Sequence, residues 1–254
     1  MSVNMFHIRG DTLKHLLAWC RLDEAAVARR LHLKPAKIAS WISGESGPTW
    51  NQLEDFARYL NVPVTTFFRP WQDPEMPLKD FRRGPMAGST PSMDLLSLVY
   101  DARRKQDWWK EQALATDCPL VGSVKPAMRP ADAGRRVREI LGLDELQRRS
   151  RSWDKFRRNL CAQMERLGVL VLRRGHVRDA TSRKIRPDEA AGFAIPDQTA
   201  PVVYVNTGTY VNAQIFTLVH EAVHLAMSQQ ALDDDMEIAG LPRQETEQFC
   251  DRAA

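Results

Sequence analysis

The sequence has no pair of cysteines close enough to form a chelating or redox motif. Its four cysteines (Cys20, Cys118, Cys161 and Cys250) are scattered over 254 residues, with no Cys-x-x-Cys among them. That pattern favours reduced thiols in a cytoplasmic protein over a disulfide framework. No uninterrupted apolar run approaches the roughly 20 residues of a membrane span. The opening MSVNMFHIRGD lacks a basic region followed by an apolar core, so no secretory signal is expected. Internal repeats and long low-complexity segments are also missing.

What is present fits an ordinary globular chain, with 43% hydrophobic and 27% charged residues. Its length leaves room for two or three small domains whose cores need no disulfides. The net charge of +4 is unevenly shared. Residues 1–70 carry 9 Lys/Arg against 6 Asp/Glu, residues 71–190 carry 25 against 17, and residues 191–254 carry 2 against 9. A basic front and middle suit nucleic acid, and an acidic end suits a cation or a basic substrate. The acidic end docking on its own basic middle is the plainer alternative.

Residues 10–70 read as short helices separated by tight turns. Asp11 is expected to cap a first helix carrying Leu13, Leu16, Leu17 and Cys20. Asp23 is expected to cap a second, with Ala26, Val27 and Leu31 inward. Pro35 suits the first position of a third helix and Gly44 its stop. Asn51 is expected to cap QLEDFARYL, and Val62-Pro63 to lead into a last short helix, VTTFF. Val27-Ala28, Leu33 at the turn, Ile38, Trp41 and Gly44 in the third helix, and Pro48-Thr49 before Leu53–Leu60 resemble the Cro/repressor-type (XRE) helix-turn-helix family. The resemblance implies a five-helix domain over 1–70 whose third helix lies in the DNA major groove. Lys34, Ala36, Lys37 and Ser40 are then the DNA-facing positions, with Arg29, Arg30 and Arg58 as candidate phosphate contacts. Ile42 stands where the family usually has Glu.

Pro, Gly and Ser mark residues 71–92 as a linker. Residues 93–168 form a helical middle region. A helix from Met93 aligns Leu95, Leu98, Val99, Ala102 and Trp109, and two more are expected over 132–141 and 152–167. Arg135-Arg136, Arg148-Arg149-Arg151 and Arg157-Arg158 fall mostly on outward positions, as a solvated face or a nucleic-acid groove. After Gly168 the period shifts to strands over 169–172, 192–195 and 201–206. The last two are joined by the turn PDQTA, and a long basic connection spans 173–191.

Asn212–Gln230, NAQIFTLVHEAVHLAMSQQ, holds two of the chain's six histidines, four residues apart in an apolar run. That spacing sets His220 and His224 on one helix face, where burial demands a partner for each. Zinc satisfies both imidazoles, with Glu221 beside them as general base. Histidines bonded within a core are the alternative. A catalytic zinc takes three protein ligands, and Glu247, on a last helix lying across the first, is the expected third. Glu245 and Glu237 are weaker choices by position.

Thr217, His220-Glu221-x-x-His224 and Glu247-Gln248-Phe249-Cys250-Asp251 together resemble the ImmA/IrrE family of metallopeptidases. The strand ending at Asn206 and Asp80-Phe81-Arg82 after the helix-turn-helix extend the resemblance. It implies a zincin-like core over 169–254, with zinc on His220, His224 and Glu247 and Glu221 as base. It also implies a last helix longer than the seven residues that follow Glu247 here. Val223 and Asp251 depart from the family's small residue and Asn. Cys250 reads as a buried structural thiol or a further contact to the metal.

The expected fold is therefore mainly α with a small β-sheet (α+β). The expected function is a zinc endopeptidase fused to a DNA-binding helix-turn-helix, regulating transcription by cleaving a repressor or antitoxin. A regulator whose zincin-like domain senses or docks a partner without cutting it is the alternative. DNA and a protein substrate are the expected partners, and the helix-turn-helix is compatible with a homodimer on two half-sites. An extended substrate is expected along PVVYVN, and Tyr204, Tyr210 and His176 are candidates to stabilise the oxyanion.

Overall fold

A computed structural model describes residues 5–20, 22–60, 62–72, 92–112, 116–125, 127–177, 180–228 and 243–254. The chain divides into two compact units, one made of 1–76 and 90–97, the other of 77–89 and 98–254. Of the expected linker 71–92, only Trp71, Gln72 and Ser92 are described. Asp80-Phe81-Arg82 and the acidic stretch 233–237 lie outside the described residues.

In the first unit, α1 (Gly10–Trp19), α2 (Glu24–Arg30), α3 (Pro35–Ser43), α4 (Trp50–Leu60) and a 3-10 turn (Val64–Phe68) follow one another. They close over Leu13, Leu16, Val27, Ile38, Trp41, Leu53, Phe56 and Phe67, all fully buried. The caps explain the boundaries. Asp23 accepts the backbone N–H of Ala26 at 2.5 Å. Pro35 opens α3, and Gly44 ends it at φ +80°, a conformation that costs residues with a Cβ.

Two expected caps are replaced. Asp11 sits inside the first turn of α1, paired with Arg9 at 2.7 Å, and Arg9 holds the N-cap position. At α4 the cap is Thr49 rather than Asn51. The Thr49 hydroxyl accepts from Gln52 N at 3.3 Å while Gln52 Oε1 accepts from Thr49 N at 2.9 Å. This reciprocal capping box satisfies donors on both sides of the helix start, which Asn51 one residue inside the helix does not do. Val27 and Ala28 form the buried face of α2, whereas Ala26 and Leu31 are half-buried.

The helix α5 (Met93–Gln112) continues from the first unit into the second. The second unit adds α6 (Pro130–Leu141), α7 (Leu143–Arg149) and α8 (Trp153–Arg166). Strands β1 (Leu170–Arg174), β2 (His176–Val177), β3 (Ala180–Lys184), β4 (Gly192–Ile195) and β5 (Val202–Asn206) follow, then α9 (Val211–Met227) and α10 (Arg243–Ala253). Expectation missed α7, a single short helix released by the turn at Gly142, with acids in its first turn and arginines in its last. It also missed the β2–β3 pair within the basic connection.

The main sheet runs β1-β5-β4, with β5 parallel to β1 and antiparallel to β4. Every residue of β5 is buried. A strand paired on both sides has no free edge, so PVVYVN cannot receive an added peptide strand. Along β4, no further strand pairs among the described residues, so β4 lies at an edge of the sheet. Gln106, fully buried on α5, donates to the carbonyls of Ile195 (3.3 Å) and Ala200 (2.9 Å) and ties down the β4–β5 hairpin.

Val203 and Val205 face the core built from α6, α8 and α9. The arginine clusters of this unit pair with acids on their own or the adjoining helix. Arg135 meets Asp132, Arg138 meets Asp144, Arg148 and Arg149 meet Glu145, and Arg157 and Arg158 meet Asp154. No described helix is long and apolar enough to cross a membrane.

Candidate metal centre

The helix α9 is apolar around most of its circumference, and every residue from Thr217 to Met227 is buried. It lies on β4 and β5 and between α8, α6 and α10. Its C-terminal carbonyls are occupied from outside: Gly122 N donates to Leu225 O at 3.2 Å and Val124 N to Ala226 O at 2.9 Å. Ser228 Oγ adds a bond to His224 O at 2.9 Å. The C-terminal end of the histidine-bearing turn is thereby fixed.

Within that turn, His220 Nε2 and His224 Nε2 face each other at 2.9 Å. Glu247, one turn into α10, sets Oε2 3.6 Å from the first nitrogen and Oε1 3.3 Å from the second. Three donors from two helices therefore converge on one point. Tetrahedral zinc with bonds of about 2.0–2.1 Å spaces its ligand atoms about 3.3 Å apart; the imidazole pair at 2.9 Å and the two Glu247 oxygens, each near a different imidazole, lie close to that spacing.

Two imidazole nitrogens facing at this distance need a proton or a cation between them. Burial opposes the charged form of His224, but the Cys250 thiol, the Glu247 carboxylate and the Glu221 charge outweigh it and push its pKa up to about 10. The surroundings thus favour positive charge at His224, and the donor set fits zinc.

Asp251 Oδ1 lies 2.9 Å from His220 Nδ1. The contact lacks hydrogen-bond alignment at Nδ1, so it sets negative charge beside the ring, on the side where outer carboxylates stand at metal-binding histidines. The sequence marked Asp251 only as an added negative charge.

Glu221 is 3% exposed. Its Oε1 stands 3.2 Å from where a side chain on Gly192, the first residue of β4, would begin. That same Cβ would meet the Thr217 methyl at 2.3 Å. A bare glycine opposite Thr217 therefore lets α9 approach β4 and brings the Glu221 carboxylate against the strand.

Glu245 is exposed in the first turn of α10, and Glu237 lies outside the described residues. Among the oxyanion candidates, Tyr204 is buried and donates its hydroxyl to Arg174 O at 2.7 Å, stacked on Phe193. It alternates with Val203 and Val205 and so points to the opposite side of the sheet from α9. Burial also pushes its hydroxyl well above the usual phenol range. Tyr210 is 89% exposed at the start of α9, about 15 Å along the helix from His220 at 1.5 Å per residue. His176 sits in β2 opposite Lys184. Tyr204 and Tyr210 are thus turned or set away from the cluster.

In the first unit, Lys34 and Ala36 are exposed at the N-terminal end of α3, as is Ala39, which the sequence reading did not single out. Lys37 and Ser40 are half-buried and joined through Ser46: Lys37 Nζ donates to Ser46 Oγ at 3.3 Å and the two serine hydroxyls meet at 2.6 Å. Arg30 stacks over Tyr59 at 5.6 Å and Arg58 pairs with Asp55 at 3.1 Å, while Arg29 is exposed.

A family model described as a helix-turn-helix domain matches residues 10–67. The first unit is thus a helix-turn-helix domain, the kind of module that DNA-binding regulators carry. No curated protein and no solved structure matches the chain.

Proposed function

We propose that the chain is a zinc-dependent endopeptidase joined to a DNA-binding helix-turn-helix, and that it regulates transcription by cleaving a repressor or antitoxin. The observation that carries the reading is the convergence of Glu247 from α10 on the His220–His224 pair of α9, with Glu221 beside it against the edge of β4. His220, His224 and Glu247 hold the metal. A zinc ion bound there supplies Lewis acidity to an attacking water and to the scissile carbonyl.

The chain's own residues do the rest. Asp251 sets its carboxylate beside the outer side of the His220 ring. Glu221 takes the proton of the attacking water and returns it to the leaving amine. Its buried setting keeps bulk water from competing for that proton. The free edge of β4 offers main-chain donors and acceptors to an extended peptide, which is thereby laid along the strand that Glu221 touches. The acidic composition of residues 191–254 suits a basic substrate, as a DNA-binding repressor would be.

Two measurements test the reading. The protein purified without added zinc is expected to contain about one equivalent, and content far below that, unrestored by zinc, overturns the metal centre. A co-expressed regulator is expected to be cut by the parent chain and left intact by Glu221→Gln, which retains its metal. Regulation that persists unchanged in Glu221→Gln instead identifies a partner-binding regulator that cuts nothing.

A further inference from the structure

We infer that the Cys250 thiolate is a fourth protein donor at this centre, closing the resting site with sulfur where a catalytic zinc would otherwise keep water. The inference rests on the metal centre proposed above. Cys250 is fully buried, and its Sγ and one ring nitrogen from each of His220 and His224 all lie within 4.8 Å of one another. It follows Glu247 by three residues on α10, so one helix face carries both the carboxylate and the thiol to the same imidazole pair.

The surroundings divide by chemistry. Glu247 and Asp251 put oxygen around the histidines, while Cys250 contacts the Met227 thioether at 3.6 Å and puts sulfur there. Cys118 and Cys161 belong to the apolar core, where burial pushes both thiols up, and neither joins the histidine cluster among the described residues. Of the four cysteines, Cys250 alone shares the histidines' cluster there.

Zinc centres with four protein ligands are typically structural, whereas catalytic ones keep a position for water. With two imidazoles, a carboxylate and a thiolate available, the position that hydrolysis needs is filled by sulfur. On binding, the Cys250 S–H proton leaves to solvent and a sulfur–metal bond forms. The resting chain then holds metal in a latent form, and hydrolysis requires the thiolate to withdraw. The same donor set selects thiophilic metals such as zinc and cobalt(II) over magnesium or calcium.

Cobalt(II) titration of the full chain under anaerobic conditions reads the sulfur bond directly. The parent is expected to take one equivalent and to show the near-ultraviolet thiolate-to-cobalt charge-transfer band. Cys250→Ser is expected to take one equivalent and lose the band, while Cys161→Ser keeps it. Uptake without the band, or a band that survives in Cys250→Ser, overturns the role of Cys250 and leaves the His220–His224–Glu247 centre standing. No uptake by the parent overturns the centre itself. Zinc X-ray absorption on the parent chain needs no variant: one sulfur in the metal's shell is expected, and a shell of nitrogen and oxygen alone sinks the inference.

Discussion

Replacing Gly134 by alanine tests whether the packing of α10 on α6 governs the metal centre. Gly134 lies in the middle of α6, where glycine costs about 1 kcal/mol relative to alanine in helix propensity. Propensity alone therefore says that Gly134→Ala stabilises the chain. The structure says the reverse. A Cβ on Gly134 would stand 2.5 Å from the backbone oxygen of Ala253 near the end of α10. Restoring ordinary contact at about 3.4 Å requires the two helices to part by about 0.9 Å, the difference of those distances. Overpacking of this kind costs about 1–3 kcal/mol. Set against the propensity gain of about 1 kcal/mol, the net loss is about 1 kcal/mol.

The displaced element is the one that carries Glu247, Cys250 and Asp251. Loss of support around metal ligands lowers affinity about 10–100-fold, and a drop of about tenfold is expected here. Urea unfolding of the metal-free chain and zinc competition against a chelator measure the two effects separately. A Gly134→Ala variant at least as stable as the parent, and holding zinc as tightly, refutes the argument that this close approach sets the position of α10.

Three further outcomes follow from other parts of the molecule. The buried Asn206 amide donates to the carbonyls of Ile185 and Ala190, both at 3.0 Å, and accepts from Gly208 N at 2.8 Å. Asn206→Asp turns two donors into an acceptor facing carbonyl oxygens and is expected to cost about 3 kcal/mol in chemical denaturation; a loss below about 1 kcal/mol would count against this role. Burial raises the pKa of Asp197, but Lys110 and the N–H groups of Ala200 and Thr199 outweigh burial and hold it below the usual carboxylate range. Its contribution is present above the ordinary pKa of about 3.9 and is lost as pH falls through the folded value. Asp197→Asn should therefore flatten the acid limb of the stability curve, and an unchanged limb refutes the pairing. On DNA, Lys37→Ala is expected to weaken binding and lower the salt slope by about 1 if Lys37 meets a phosphate. A footprint that survives it and Ser40→Ala undiminished rules out this end of α3.

Sequence alone determined the parts of this protein that local chemistry dictates. Apolar periodicity placed the helices of the first unit, Asp23, Pro35 and Gly44 marked their ends, and the spacing of His220 and His224 put two imidazoles on one face. These are short-range facts, since a turn of helix joins residues four apart whatever lies around it. The caps that failed were local as well. Thr49 and Gln52 form a capping box that is legible in the sequence as Thr-x-x-Gln ahead of the apolar run.

Only tertiary structure decided what depends on partners distant in the chain. The central place of β5 follows from its pairing with β1 on one side and β4 on the other, so among the described residues β1 and β4 form the edges. The commitment of Tyr204 to Arg174 O, 30 residues away, removed it from the oxyanion candidates. Position on a helix favours Glu247 among three acids, but its distances to both histidines depend on how α10 docks against α6 and α9. That docking, through Gly134 and the buried Cys250, joins residues more than 100 positions apart. Packing of this kind has no period along the chain and so leaves no pattern in the sequence.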